Sequence, residues 1–171
     1  MVLSMIRAII ARLRPTPPLS CKAALWTAIL QELRERGGGH REAGGFLLGI
    51  RDAKGRRRIT EFMAYDDIDP KALQGIIVFD GSKMDLVWKR CAAAGLQVVA
   101  DVHTHPGGYG QSDIDQANPM IPERGHIALI IPNFVDHDYL PGQIGLHEYR
   151  GRDGWLDHSA AAKRFFRVDR W

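Results

Sequence analysis

The sequence predicts an α/β chain of the α+β kind, one domain in which helices flank a mixed, mostly antiparallel sheet. Three observations carry that expectation. A chain of 171 residues, 45% of them apolar, can bury one sizeable core, and its length favours one domain over two. Short apolar runs alternate along it with stretches whose apolar residues recur at three and four. Several links between the short runs are too brief for the crossover that parallel neighbours require, so those strands must return antiparallel.

The elements follow in chain order. The opening MVLSMIRAIIARLR has helical spacing, carries Arg7, Arg12 and Arg14, and precedes the first acidic residue, Glu32. It reads as a basic amphipathic helix, packed on the domain or lying at an interface, and its apolar runs are too interrupted for a secretory leader. Pro15, Pro17 and Pro18 break it, so residues 1–19 are an arm and linker and 20–171 are the domain. From Ser20 to Arg36 the residues Ala24, Leu25, Ala28, Ile29 and Leu33 mark a helix that Gly37, Gly38 and Gly39 end. Gly45 to Ile50 and Ile59 to Tyr65 read as a hairpin, and Ile76 to Phe79 as a third β-rich run. A helix is expected from Ser82, as N-cap, to Ala94, closed by Gly95. Leu96 to His103 is a mostly apolar run with one charge, Asp101, and suits a buried central strand. A short helix over Ser112 to Asn118 and strands over His126 to Ile131 and Gln143 to Tyr149 complete the pattern.

Composition excludes some classes. With 23 basic against 20 acidic side chains the net charge is only +3, which demands no nucleic acid, and the run Arg56, Arg57, Arg58 reads as a solvated turn. No stretch approaches the ~20 apolar residues of a membrane span. Cys21 and Cys91, each in a helix-like stretch, have no paired spacing, so they are expected to be packing residues in a reducing cytoplasm.

The chemistry concentrates between His103 and Asp115. Histidines at i and i+2 of a strand share a face, so His103 and His105 can reach one ion. The glycine-rich stretch from Pro106 to Gly110 then supplies a reversal, and a carboxylate can return one helical turn after Ser112. Asp113 competes on position alone; Asp115, three residues after a capping Ser, is the better geometric choice. Two histidines and a carboxylate leave one zinc position open, as a catalytic site requires. Such a site also needs a proton acceptor, and Glu42, ahead of Gly44-Gly45-Phe46-Leu47-Leu48-Gly49, is a candidate. His40 could approach it; His126, His137, His147 and His158 have no ligand spacing and are expected to be structural or exposed. Asp101, on the strand face of His103, could orient that imidazole.

Glu42 with its glycine-leucine stretch, His103-Thr104-His105-Pro106, and Ser112 with Asp115 together resemble the JAMM metallopeptidases, also called MPN-plus or JAB, in their bacterial branch. The likeness runs over roughly residues 40–131. It implies a cytidine-deaminase-like JAB/MPN domain, zinc on His103, His105 and Asp115, Glu42 as general acid/base, and Ser112 steadying the oxyanion. It also implies cleavage after the C-terminal glycine of a ubiquitin-like protein, with E1-like and E2-like proteins as possible partners, plausibly in a bacterial anti-phage conjugation system. Processing of a sulfur-carrier protein, a non-catalytic MPN scaffold and a DNA-associated protein resembling the RadC group are the other classes. Two departures stand out. The Pro106 to Ser112 loop has five residues, one fewer than in many relatives, and only ten separate Asp115 from His126, where eukaryotic deubiquitinases carry long insertions. Tail reading with weak discrimination among acceptors is therefore expected.

Overall fold

The computed structural model describes residues 18–169 apart from 75 and 78, so the expected amphipathic opening lies outside the described residues. In chain order the elements are β1 (Leu19–Lys22), α1 (Ala23–Gly37), β2 (Gly44–Arg51), β3 (Arg57–Ala64), α2 (Tyr65–Ile68), β4 (Leu73–Gln74), β5 (Ile76–Ile77), α3 (Met84–Ala94), β6 (Gln97–Thr104), α4 (Asp113–Ala117), β7 (Ile127–Ile131), β8 (Gly145–Tyr149), β9 (Trp155–Asp157), α5 (Ala162–Phe165) and β10 (Phe166–Asp169). Eight strands form one mixed sheet in the order β10-β1-β3-β2-β6-β7-β8-β9, and β4 with β5 forms a separate small hairpin.

The centre of the sheet follows from sequence. β2 is apolar up to its last residue, Arg51, and Phe46, Leu47 and Leu48 are all at 0% exposure, flanked antiparallel by β3 and β6. Gly44 lies opposite His103, and a Cβ there would meet the Tyr65 ring at 2.6 Å and the Val102 carbonyl at 2.7 Å. Gly49 sits where the pairing with β3 slips, and a Cβ there would run into the Arg58 carbonyl. The glycines of the Gly-Gly-Phe-Leu-Leu-Gly stretch are thus places where neighbouring chain leaves no room for a side chain.

Four local expectations change. Leu19–Lys22 is a strand rather than the first turn of a helix, because it pairs parallel with both β10 and β3. Cys21 therefore lies in a strand, buried, where burial first and the Asp169 charge second push its thiol up to about 12; Cys91 lies in α3. The cap ahead of α3 is Asp80, whose side chain accepts from the Ser82 N–H at 2.9 Å, and Ser82 itself lies in a 3-10 turn before the helix. Arg57 does not belong to a solvated turn: it opens β3 and donates to the Gly125 carbonyl at 2.7 Å. The expected helix ends hold, with Gly38 and Gly95 in left-handed conformation closing α1 and α3, while the strands expected over 76–79 and 143–149 are shorter, Ile76–Ile77 and Gly145–Tyr149. Trp26, Ile29, Leu30 and Leu33 of α1 are buried, and Trp26 meets Phe166 edge to face at 5.0 Å.

Candidate metal centre

β6 ends at the site. Alternation turns His103 and His105 to one face, with their Nε2 atoms 3.0 Å apart, and Thr104 to the other. Thr104 is buried and exchanges two bonds with Ala43: its Oγ1 accepts from the Ala43 N–H and its own N–H donates to the Ala43 carbonyl, both at 2.9 Å. The middle residue of His-Thr-His thereby ties the chain next to Glu42 to the ligand strand.

The backbone beyond β6 is held by β7. His105 N–H donates to the Ile131 carbonyl at 2.9 Å, and the turn after β7 answers with Phe134 N–H to the His105 carbonyl at 2.8 Å. In that turn Asn133, Phe134 and Val135 have φ of 52°, 51° and 60°. Asn tolerates left-handed backbone, but it is unfavourable for Phe and above all for Val, and there it persists only where surrounding bonds over-determine it. Arg34 supplies one, its Nε donating to the Val135 carbonyl at 2.6 Å.

Asp115 arrives from α4. Ser112 is the N-cap, and the two residues form a capping box: the Asp115 N–H donates to Ser112 Oγ at 3.2 Å, while Asp115 Oδ2 accepts from the Ser112 N–H at 2.7 Å and hydroxyl at 2.8 Å. Asp115 Oδ1 stands 3.3 Å from His103 Nε2, and Oδ2 3.2 Å from His105 Nε2. Asp113 takes no part in this group. The chain reversal does not need its glycines, since Gly107, Gly108 and Gly110 lie outside the left-handed region with open space where a Cβ would stand.

The three groups fit a divalent ion. Tetrahedral zinc with bonds of 2.0 to 2.1 Å separates its ligand atoms by about 3.3 to 3.4 Å; here the two Nε2 atoms are 3.0 Å apart, Asp115 meets each histidine through a different oxygen, and one ligand atom from each residue lies within 4.8 Å of the others. His103, His105 and Asp115 are thus a set that could hold a metal, with both histidines buried. Burial alone would depress the His103 pKa; Asp101 and Asp115 outweigh it and lift it to about 9. Burial likewise works against the Asp115 carboxylate, and the two histidines overcome it, holding Asp115 well below the usual carboxylate range.

Glu42, Ser112 and Asp115 line one cavity of about 500 Å³ with His103. Glu42 is half-buried and accepts a long bond from the Ile77 N–H at 3.4 Å, so the small hairpin borders this carboxylate. The ten residues after Asp115 supply Asn118, Pro119 and Met120 to the cavity wall, and Trp155 of β9 closes it. His40 stays outside, its Nδ1 2.9 Å from the Gly38 carbonyl and its ring exposed. His137 is exposed beside Asp136, and His158 pairs with Glu148. His126, expected to be structural or exposed, is structural: it is buried against Asp101 at 2.5 Å. A charged residue inside an apolar strand needs a partner, and that need was the available signal.

Among solved structures, the chain is similar to that of protein DSY2949 from Desulfitobacterium hafniense, at 18% identity, TM-score 0.61, covering 81% of this chain and 88% of that one. A protein from Salinibacter ruber matches at 21% identity, TM-score 0.46, covering 76% and 84%. The first likeness supports the fold alone. Residues 22–137, which include Glu42, both clustered histidines, Ser112 and Asp115, match the family described as prokaryotic homologs of the JAB domain, and the chain belongs to that family.

Proposed function

We propose that this protein is a zinc-dependent metallopeptidase of isopeptidase type, hydrolysing the bond after the terminal glycine of a ubiquitin-like protein, whether in a conjugate or a precursor. The observation that carries the reading is the convergence of Glu42, His103, Ser112 and Asp115 on one cavity. Zinc held by His103, His105 and Asp115 would supply a Lewis acid for the scissile carbonyl and lower the pKa of water toward about 7. Glu42, beside the Ile77 N–H, is placed to take up a proton and return it to the leaving amine. Ser112 is assigned the oxyanion contact, its hydroxyl turning from Asp115 to the substrate while its backbone N–H keeps the carboxylate in place. E1-like and E2-like proteins are the partners this activity calls for, and the cytoplasm is where it would act. Among the described residues no helix is long and apolar enough to cross a membrane.

The test uses the zinc-loaded chain and fusions of a ubiquitin-like protein ending in Gly, Ala or Val, with the cut located by mass spectrometry. Cleavage after Gly alone, lost in Glu42→Gln, supports the reading. Equal cleavage after all three refutes tail reading. Preference for a sulfur-carrier fusion moves the assignment to that class, and no cleavage of any fusion favours a scaffold.

A further inference from the structure

Asp101 is 2% exposed within β6, where an uncompensated carboxylate would be costly. Its oxygens are divided among three neighbours. Oδ1 is 2.5 Å from Nε2 of His126, which is 6% exposed just ahead of β7. Oδ2 accepts from the fully buried Tyr65 hydroxyl at 3.2 Å and faces His103 Nδ1 at 4.0 Å. That nitrogen is on the side of the ring away from Nε2, the atom clustered with His105 and Asp115. An imidazole can offer an Nε2 lone pair to a cation only with its proton on Nδ1, and the acceptor that Nδ1 faces decides how firmly tautomer and ring angle are held.

We infer that Asp101, braced by His126 and Tyr65, is a positioning residue that holds His103 as an Nε2 ligand, and that its charge joins that of Asp115 in balancing a divalent ion. The inference rests on the metal-centre reading above. The brace has a geometric basis. β6 and β7 run parallel with Asp101 opposite Ala128, which brings the segment just before β7 alongside Asp101. Gly44, opposite His103, leaves room for the Tyr65 ring. A carboxylate tied at two points cannot follow a rotating imidazole, so it stands as a fixed acceptor 4.0 Å from Nδ1 toward which the ring can close.

The experiment measures zinc affinity of the full chain by competition with a chromophoric chelator, beside thermal unfolding of the metal-free protein. The variants are Asp101→Asn, His126→Gln and Tyr65→Phe. Asp101→Asn should bind zinc roughly 10- to 100-fold more weakly, and the other two should lose affinity in the same direction but less. Long-range nitrogen-15 spectra of the zinc-loaded wild type should show His103 protonated at Nδ1, a signature that Asp101→Asn weakens. A purely structural pair would lower the unfolding midpoint and leave affinity unchanged, and that result overturns the inference while sparing the metal centre. If Asp101→Asn does not fold, wild-type affinity in both other variants overturns it equally. A wild type that takes up no zinc removes the metal centre and the inference together.

Discussion

Gly44→Ala is the sharpest probe of the link between sheet packing and ligand placement. The added methyl would lie 2.6 Å from Tyr65 Cε2, 2.7 Å from the Val102 carbonyl oxygen and 2.9 Å from His103 Cβ. Each is half an ångström or more inside ordinary contact, and two of the three atoms are fixed to the ligand strand and cannot rotate away. Overpacking of this kind costs roughly 1 to 3 kcal/mol. For a domain of this size each kcal/mol moves the melting midpoint by about 2 to 4 °C, so the metal-free protein should melt roughly 2 to 12 °C lower. Because the strain falls on His103 and Tyr65, zinc affinity should fall with it. Gly107→Ala is the control: nothing lies within 4 Å of its Cβ and its φ is not left-handed, so its midpoint should stay near wild type. Thermal unfolding followed by circular dichroism, with zinc titration on the same samples, decides the matter. Equal midpoints and affinities for Gly44→Ala and wild type, or equal damage from Gly107→Ala, would refute the packing argument.

Zinc at about a thousand times its dissociation constant should stabilise the fold by about 4 kcal/mol, raising the midpoint by roughly 8 to 16 °C; His103→Ala and Asp115→Ala should lose that gain, and a midpoint indifferent to chelator would count against the metal centre. In metal-free protein the His103 pKa is raised to about 9, so its contribution is fully present below the unfolded value near 6.5 and is lost as pH climbs through about 9. Denaturant midpoints should accordingly drop between pH 7 and pH 9.5 in wild type and much less in His103→Ala. Zinc uptake at pH 7 should release a proton, readable by calorimetry in buffers of different ionisation enthalpy, and the release should shrink toward zero by about pH 10. Glu42→Gln should keep zinc and melting behaviour while kcat/KM on a cleavable fusion falls about 10²- to 10⁴-fold, and an unchanged rate would assign the proton transfer elsewhere.

The central strands and the clustering of His103, His105 and Asp115 were legible because their signals are local. Period-2 alternation puts His103 and His105 on one face, and Ser112 three residues before Asp115 spells a cap. β1, β9 and β10 were not, since each owes its conformation to distant partners: Leu19 pairs with Phe166, and Trp155 with Tyr149 across an edge. The brace under His103 was half visible. Asp101 stood out as a charge in an apolar run, but His126 lies beside it only because β7 runs parallel to β6. The wall from Pro119, Met120 and Trp155 was also hidden, because counting residues between Asp115 and His126 measures length and not where those residues pack.

The capping box shows how unequal the parts of this constellation are as testimony. A four-residue stretch of Ser, two spacers and Asp satisfies its own amides at the start of a five-residue helix, and it would do so in a protein that never met a cation. The two buried imidazoles, with Nε2 atoms 3.0 Å apart, start no helix; without a cation they can only share protons with each other and with Asp115. In a chain of this fold that had kept Ser and Asp but replaced either histidine, the surviving pair would testify to helix initiation alone.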